Sequence, residues 1–199
     1  MELAEEGCRI TTELGFQRQL ALLLFSCGAA LVLQGKAEEG VQQMREGLAA
    51  NHALGMIMAR TFFLGLLADG CGRLGEVEEG LGLIAEALDF ANQTGEHYWE
   101  ADLHRLKGEL LLKKGAEDAE SKIAEQAEAC FRRAIEVARR QSAKSYELRA
   151  TTSLARLLAS QGKRDEGRVM LADIYNWFTE GFDTADLKDA KALLDELAA

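Results

Sequence analysis

The chain has 199 residues, 48% of them hydrophobic and 28% charged, with no proline and a formal net charge of −10. Apolar content near half supports a folded core, and the acidic balance excludes binding to a nucleic-acid backbone, which needs clustered lysine and arginine. β-Branched runs are few and no segment alternates, so an all-α chain is expected.

Residues 1–14 read as the second helix of a repeat unit whose first helix is absent, which leads us to expect a piece of a longer protein. The opening Met1-Glu-Leu-Ala-Glu-Glu lacks the apolar run of a signal peptide. Cys8, Cys27, Cys71 and Cys130 lie far apart in apolar helical patterns. They read as small packing residues in a reducing, cytoplasmic setting.

Residues 16–54 form a first predicted unit. Its first helix carries the uncharged run Leu20-Ala-Leu-Leu-Leu-Phe-Ser-Cys-Gly-Ala-Ala-Leu-Val-Leu33. That run is short of the ~20 apolar residues of a membrane span, so burial on several sides is expected. Gly35-Lys-Ala-Glu-Glu-Gly40 follows. It returns as Gly75-Glu-Val-Glu-Glu-Gly80 in a second unit, 56–93, and as Gly162-Lys-Arg-Asp-Glu-Gly167 in a fourth, 145–180. Gly115 marks the third unit, 97–141, where residues 117–123 are inserted as an acidic loop or a helix extension. A fixed period near 40 marks a stacked repeat. The first glycine of each copy suits a helix end, where a left-handed residue closes the last turn. The acidic residues after it meet the positive end of the next helix dipole. The second glycine falls inside that helix and implies a close crossing; Ala127 takes its place in the third unit. A last helix, 184–197, would be capped by Asp183 or Thr184 and close the array.

Two other motifs need a context that they lack. Gly70-Cys-Gly-Arg-Leu-Gly75 fits the dinucleotide glycine pattern, but no strand-like segment precedes it. His97, Glu100 and His104 share one helical face at metal-ligand spacing, yet His104 falls at a packing position of the repeat. Neither a cofactor nor a metal is expected.

The small residues Gly28, Gly40, Ala68, Gly80, Gly108, Ala155 and Gly167, with Met44, Ile84, Phe131 and Leu171 beyond them, resemble the tetratricopeptide repeat. The resemblance implies a single domain, 1–199: a right-handed α-α superhelix of helical hairpins ending in a capping helix. The missing proline and the long period depart from the usual pattern. The segments His104-Arg-Leu-Lys-Gly-Glu-Leu-Leu, Ala129-Cys-Phe-Arg-Arg-Ala-Ile-Glu-Val-Ala-Arg, Lys144-Ser-Tyr-Glu-Leu-Arg-Ala-Thr-Thr-Ser-Leu-Ala-Arg and Trp177-Phe-Thr-Glu-Gly-Phe are similar to the C-terminal repeat region of bacterial proteins that join a class III adenylate/guanylate cyclase to a predicted ATPase. That similarity implies a regulatory tail and carries over no catalytic residue.

Mapped onto the repeat, the inner surface takes Asp102, Arg105, Glu109, Lys113, Arg149 and Arg156 from the third and fourth units. The four cations form a basic island suited to an acidic peptide or a terminal carboxylate; the opposing reading pairs them internally with Asp102 and Glu109. Leu22, Phe25, Leu33 and Phe62 form an apolar contact for missing repeats or for a homodimer. The expected function is therefore a non-enzymatic interaction module that binds a protein, a peptide or upstream domains of its own chain, away from membranes and nucleic acids. The alternative is a regulator tail that senses a small ligand in the groove.

Overall fold

A computed structural model describes residues 2–118 and 121–198, and all their regular structure is helical. The contacts gather into two units, Met1–Glu96 and His97–Ala199. The first contains α1 (Glu2–Glu13), α2 (Gln17–Leu33), α3 (Ala37–Ala53), α4 (Arg60–Leu74) and α5 (Val77–Thr94). The second contains α6 (Glu100–Asp118), α7 (Ser121–Arg140), α8 (Lys144–Ser160), α9 (Arg164–Tyr175) and α10 (Ala185–Ala198).

Each unit is built from helical hairpins. In the first, α2 packs on α3 and α4 on α5, and α4 also touches α2. In the second, α6 packs on α7 and α8 on α9, α6 touches α8, and α10 lies against both α8 and α9. The recurring glycines explain how the hairpins close. Gly35, Gly75 and Gly162 have φ of +85°, +85° and +80°. The amide one residue further on reaches back to the last turn: Lys36 to Leu31, Glu76 to Cys71 and Lys163 to Leu158, at 3.0, 2.9 and 2.8 Å. These bonds satisfy carbonyls that the helix end would leave bare. Glu38 and Glu39, Glu78 and Glu79, and Asp165 and Glu166 then fill the first turns of α3, α5 and α9.

The in-helix small residues mark where backbones nearly touch. A Cβ built on Gly28 would lie 2.5 Å from the Gly40 carbonyl oxygen, and one on Gly40 would lie 2.5 Å from the Gly28 oxygen. On Gly47 it would meet the Phe25 backbone nitrogen at 2.6 Å, and on Gly167 the Ala155 oxygen at 3.0 Å. Ala127 is 0% exposed within the core of Phe131, Ala134, Leu154 and Leu158.

The expectation for Gly115 is corrected. This glycine does not end its helix: α6 continues to Asp118, and α7 begins at Ser121. Among the described residues the insertion lengthens both helices; Ala119 and Glu120 lie outside the described residues. With the turn displaced, Gly115 becomes an approach point, where an added Cβ would be 2.8 Å from Ile123 Cγ2. Thr184, one of the two caps expected for α10, directly precedes that helix. The Thr184 hydroxyl donates to the Gly181 carbonyl at 2.7 Å, so it bonds back into the preceding turn.

Two carboxylates tie the junctions between hairpins. Glu96, after α5, accepts hydrogen bonds from the Ala59 and Thr61 amides at 3.0 and 2.9 Å and from the Thr61 hydroxyl. It thereby caps the start of α4, where Ala59 holds a φ of +58°. Glu147 is 3% exposed and accepts from Arg139 at 2.6 Å and Lys144 at 2.7 Å, bracing the α7–α8 turn. Burial alone would raise its pKa, but the two cations outweigh burial and hold it below the ordinary carboxylate value. A depressed pKa stabilises the fold above the unfolded value and loses that contribution as pH falls through the folded one. Glu147→Gln is therefore expected to lower stability by about 2 kcal/mol at pH 7. In acid denaturation series the deficit should shrink as pH drops below about 4.5; a deficit constant with pH would contradict this.

Candidate interaction groove

Within the second unit, α6 and α8 run side by side in the same direction. Trp99 meets Tyr146 at their first turns, with ring centroids 5.7 Å apart. Ser153 meets Glu109 at mid-length, 2.8 Å apart. Leu112 and Leu157 meet towards their ends, lining one pocket. This shared face brings together the expected site residues Asp102, Arg105, Glu109, Arg149 and Arg156, while Lys113 is exposed further along α6.

The charges are arranged as an alternating rack. Arg105, with 16% of its side chain exposed, is held by Asp102 at 2.6 Å and Glu109 at 2.8 Å. Burial opposes its charge, yet the two carboxylates outweigh that and hold the guanidinium above its ordinary range. Arg149 donates to Asp186 of α10 at 2.7 Å, and Arg156 donates to Asp189. Arg149 also lies over the Tyr146 ring, 5.8 Å from its centroid. Burial first, then Asp102, pushes the Tyr146 hydroxyl up to about 12. The basic island expected from the sequence is thus not open: Arg105, Arg149 and Arg156 each already hold a carboxylate. Asp102 and Glu109 engage one of them, as the opposing reading had it. Asp186 and Asp189 were not foreseen, although their i, i+3 spacing places both on one face of α10.

A pocket of about 240 Å³ opens on this face towards the ends of α6 and α8. Leu112, Phe131 and Leu157 form its apolar part; Glu109, Ser153 and Arg156 form its polar part. Gly108 admits the Phe131 ring, since a Cβ there would lie 2.5 Å from Cε1.

The apolar stripe of the first unit is corrected in part. Phe25 is 1% exposed and packs edge-on to Phe63 at 4.7 Å, because its helix position faces α4. It belongs to the core. Leu22 and Phe62 are half-buried, and Leu33 is 76% exposed.

The motifs with weak context resolve similarly. Gly70 to Gly75 lie in the last turns and cap of α4 with no strand before them, and a Cβ on Gly70 would meet Val41 at 2.8 Å. Glu100 lies 3.0 Å from His97 Nδ1 and 3.8 Å from His104 Nε2, with the Arg133 guanidinium 3.4 Å away. Burial lowers the His104 pKa, and Arg133 adds to the effect against the pull of Glu100. Among the described residues, Cys71, Glu76 and Glu79 do bring three ligand atoms within 4.8 Å of one another. Arg45 already neutralises that set, 2.6 Å from Glu76 and 2.9 Å from Glu79. Burial pushes the Cys71 thiol up to about 11, so it is protonated and a poor ligand at neutral pH. Among the described residues, Cys27, Cys71 and Cys130 form no disulfide; the Cys8 side chain lies outside the described residues. Among the described residues no helix is long and apolar enough to cross a membrane.

No family model matches the chain. An uncharacterized protein of Rhizobium meliloti (strain 1021) is 32% identical over 135 residues, a stretch that covers 68% of this chain and 12% of that protein. Solved structures show the fold. BtubC (BKLC) from P. vanneervenii superposes with a TM-score of 0.70 at 17% identity, covering 99% of this chain and 87% of that one. A Podosopora anserina kinesin light chain protein with nearly identical TPR-like repeats superposes with a TM-score of 0.60 at 14% identity, covering 93% and 84%. The chain has a tetratricopeptide-like helical-repeat fold.

Proposed function

We propose that this chain is a non-catalytic protein-interaction module, the regulatory tail of a longer bacterial cytoplasmic signalling protein that carries a class III cyclase or a predicted ATPase upstream. It binds a protein, a peptide or those upstream domains through the α6–α8 face. The observation that carries this reading is the packed rack of side chains on that face, held in register by hairpins of a repeat type. The Rhizobium meliloti relative supports a place within a longer chain, because the match spans only 12% of its length. The sensing of a small molecule is less well supported. The pocket of about 240 Å³ is open and small beside the ~300–1,000 Å³ of sites that enclose a drug-sized ligand.

The test is a peptide array tiled from the upstream domains and from the proteins encoded nearby, probed with the purified chain. Selective binding is expected, and Arg149→Gln with Arg156→Gln, which changes the charge of this face, should change the affinity severalfold while circular dichroism shows the helices intact. Absence of any retained peptide, together with unchanged output when the tail is deleted from the full-length protein, would overturn the reading.

A further inference from the structure

We infer that the pocket walled by Leu112, Phe131 and Leu157 is an anchor subsite. It takes one leucine- or methionine-sized side chain of an extended partner segment whose neighbouring residue is basic. The inference rests on the α6–α8 face being the binding face.

The size of the pocket points to a single side chain. Its accessible apolar wall is the half-buried Leu112 with the edge of Leu157, 6% exposed, and both rest on Phe131, which is 0% exposed and fixed in the core. A side chain entering there buries apolar area against an immobile surface and orders nothing new on this chain, which is how an interface anchor gains affinity.

The rim decides the charge. Arg156 is engaged by Asp189, and Arg105 by Asp102 and Glu109. The Ser153 hydroxyl is engaged by Glu109. Glu109 Oε1 accepts both of its bonds, from Arg105 and Ser153, and Oε2 accepts none from the described residues. Around the pocket the carboxylates of Asp102, Glu109 and Asp189 therefore outnumber the guanidiniums of Arg105 and Arg156 by one. An acidic segment would have to displace Asp189 to reach Arg156; a lysine or arginine beside the anchor needs to displace nothing. The chain as a whole, at −10, biases the encounter the same way.

The length of the segment follows from the helices. Trp99 and Tyr146 stand at the starts of α6 and α8, and the pocket lies some thirteen residues further along α6. At about 1.5 Å per helical residue that is ~20 Å, the reach of about six extended residues.

The experiment selects binders from a randomised eight-residue peptide library against the whole chain. Individual fluorescein-labelled peptides are then titrated by anisotropy. Selected sequences are expected to carry leucine or methionine next to lysine or arginine. Replacing the apolar residue by serine should weaken binding by about tenfold or more, and replacing the basic one by glutamate about threefold to fivefold. Ser160→Phe should fill the pocket mouth and abolish the preference for the apolar residue; among the described residues the Ser160 hydroxyl donates to the Leu157 carbonyl of its own helix, so the fold is kept. Leu112→Ala is a second variant, expected to shift the preference towards a larger anchor. Glu109→Gln should remove the preference for the basic neighbour and leave the apolar one. Acidic or anchor-free binders, free leucine competing as well as the peptide, or affinity unchanged in both pocket variants would overturn the anchor subsite while leaving the groove as a binding face. Failure of the library to yield any binder would remove the groove reading itself.

Discussion

Gly28→Val is expected to destabilise the first unit by about 4 kcal/mol, and Gly28→Ala by about 2 kcal/mol. The contact at stake is backbone against backbone: an added Cβ would sit 2.5 Å from the Gly40 oxygen and 2.8 Å from the Met44 nitrogen. No side chain can rotate away, so α2 and α3 must separate, which opens the packing of Phe25, Val32, Val41 and Met44. Alanine recovers ~1 kcal/mol of helix propensity over glycine, and the clash must exceed that gain to show. Gly82 supplies the control. It lies in α5 with no heavy atom within 4 Å of the added Cβ. Gly82→Ala should therefore raise stability by about 1 kcal/mol. Urea melts followed by far-ultraviolet circular dichroism read both. The same substitution with the same sign at both glycines would show that crossing geometry does not govern these positions.

Phe131→Ala is expected to cost the second unit about 3–5 kcal/mol. Phe131 is 0% exposed and sits among Ala127, Ala134, Leu154 and Leu158, under the turn of α6 that Gly108 leaves bare. Removing the ring leaves a cavity bounded by three helices that cannot all close onto it. Phe131→Leu should cost about 1.5 kcal/mol, since it keeps most of the volume. Both tryptophans, Trp99 and Trp177, belong to the second unit, so tryptophan fluorescence during denaturation follows that unit directly. A loss below about 1 kcal/mol for the alanine variant would mean that the ring is not the keystone of the α6–α7–α8 packing.

Legibility in the sequence differed between turns, cores and charges. The glycines at 35, 75 and 162 announced helix ends because a left-handed residue is a local requirement, written at one position. Gly115 looked the same and is not the same. Its role depends on whether the chain turns there, and the seven inserted residues let α6 continue past it. Phe25 read as part of an exposed stripe because repeat register places it on an inner helix position. Which inner positions are covered by the next hairpin depends on how closely α2 and α4 approach, and that is set by packing.

The groove divides along the same line. Asp102 and Glu109 lie three and four residues from Arg105, so that pairing follows from helix geometry alone. Arg149 and Arg156 find their carboxylates 37 and 33 residues away. No local periodicity links such positions. The pocket joins residues of α6, α7 and α8 and exists only once all three are in place.

By itself the sequence determined the helices, their glycine closures and the small residues at the hairpin crossings, because each of these is dictated within a few residues by backbone sterics and period. The tertiary structure alone decided which charges are already neutralised and where an apolar hollow remains. Those depend on distances between helices far apart in the chain, where side-chain volume and Coulomb attraction act through space and not along the backbone.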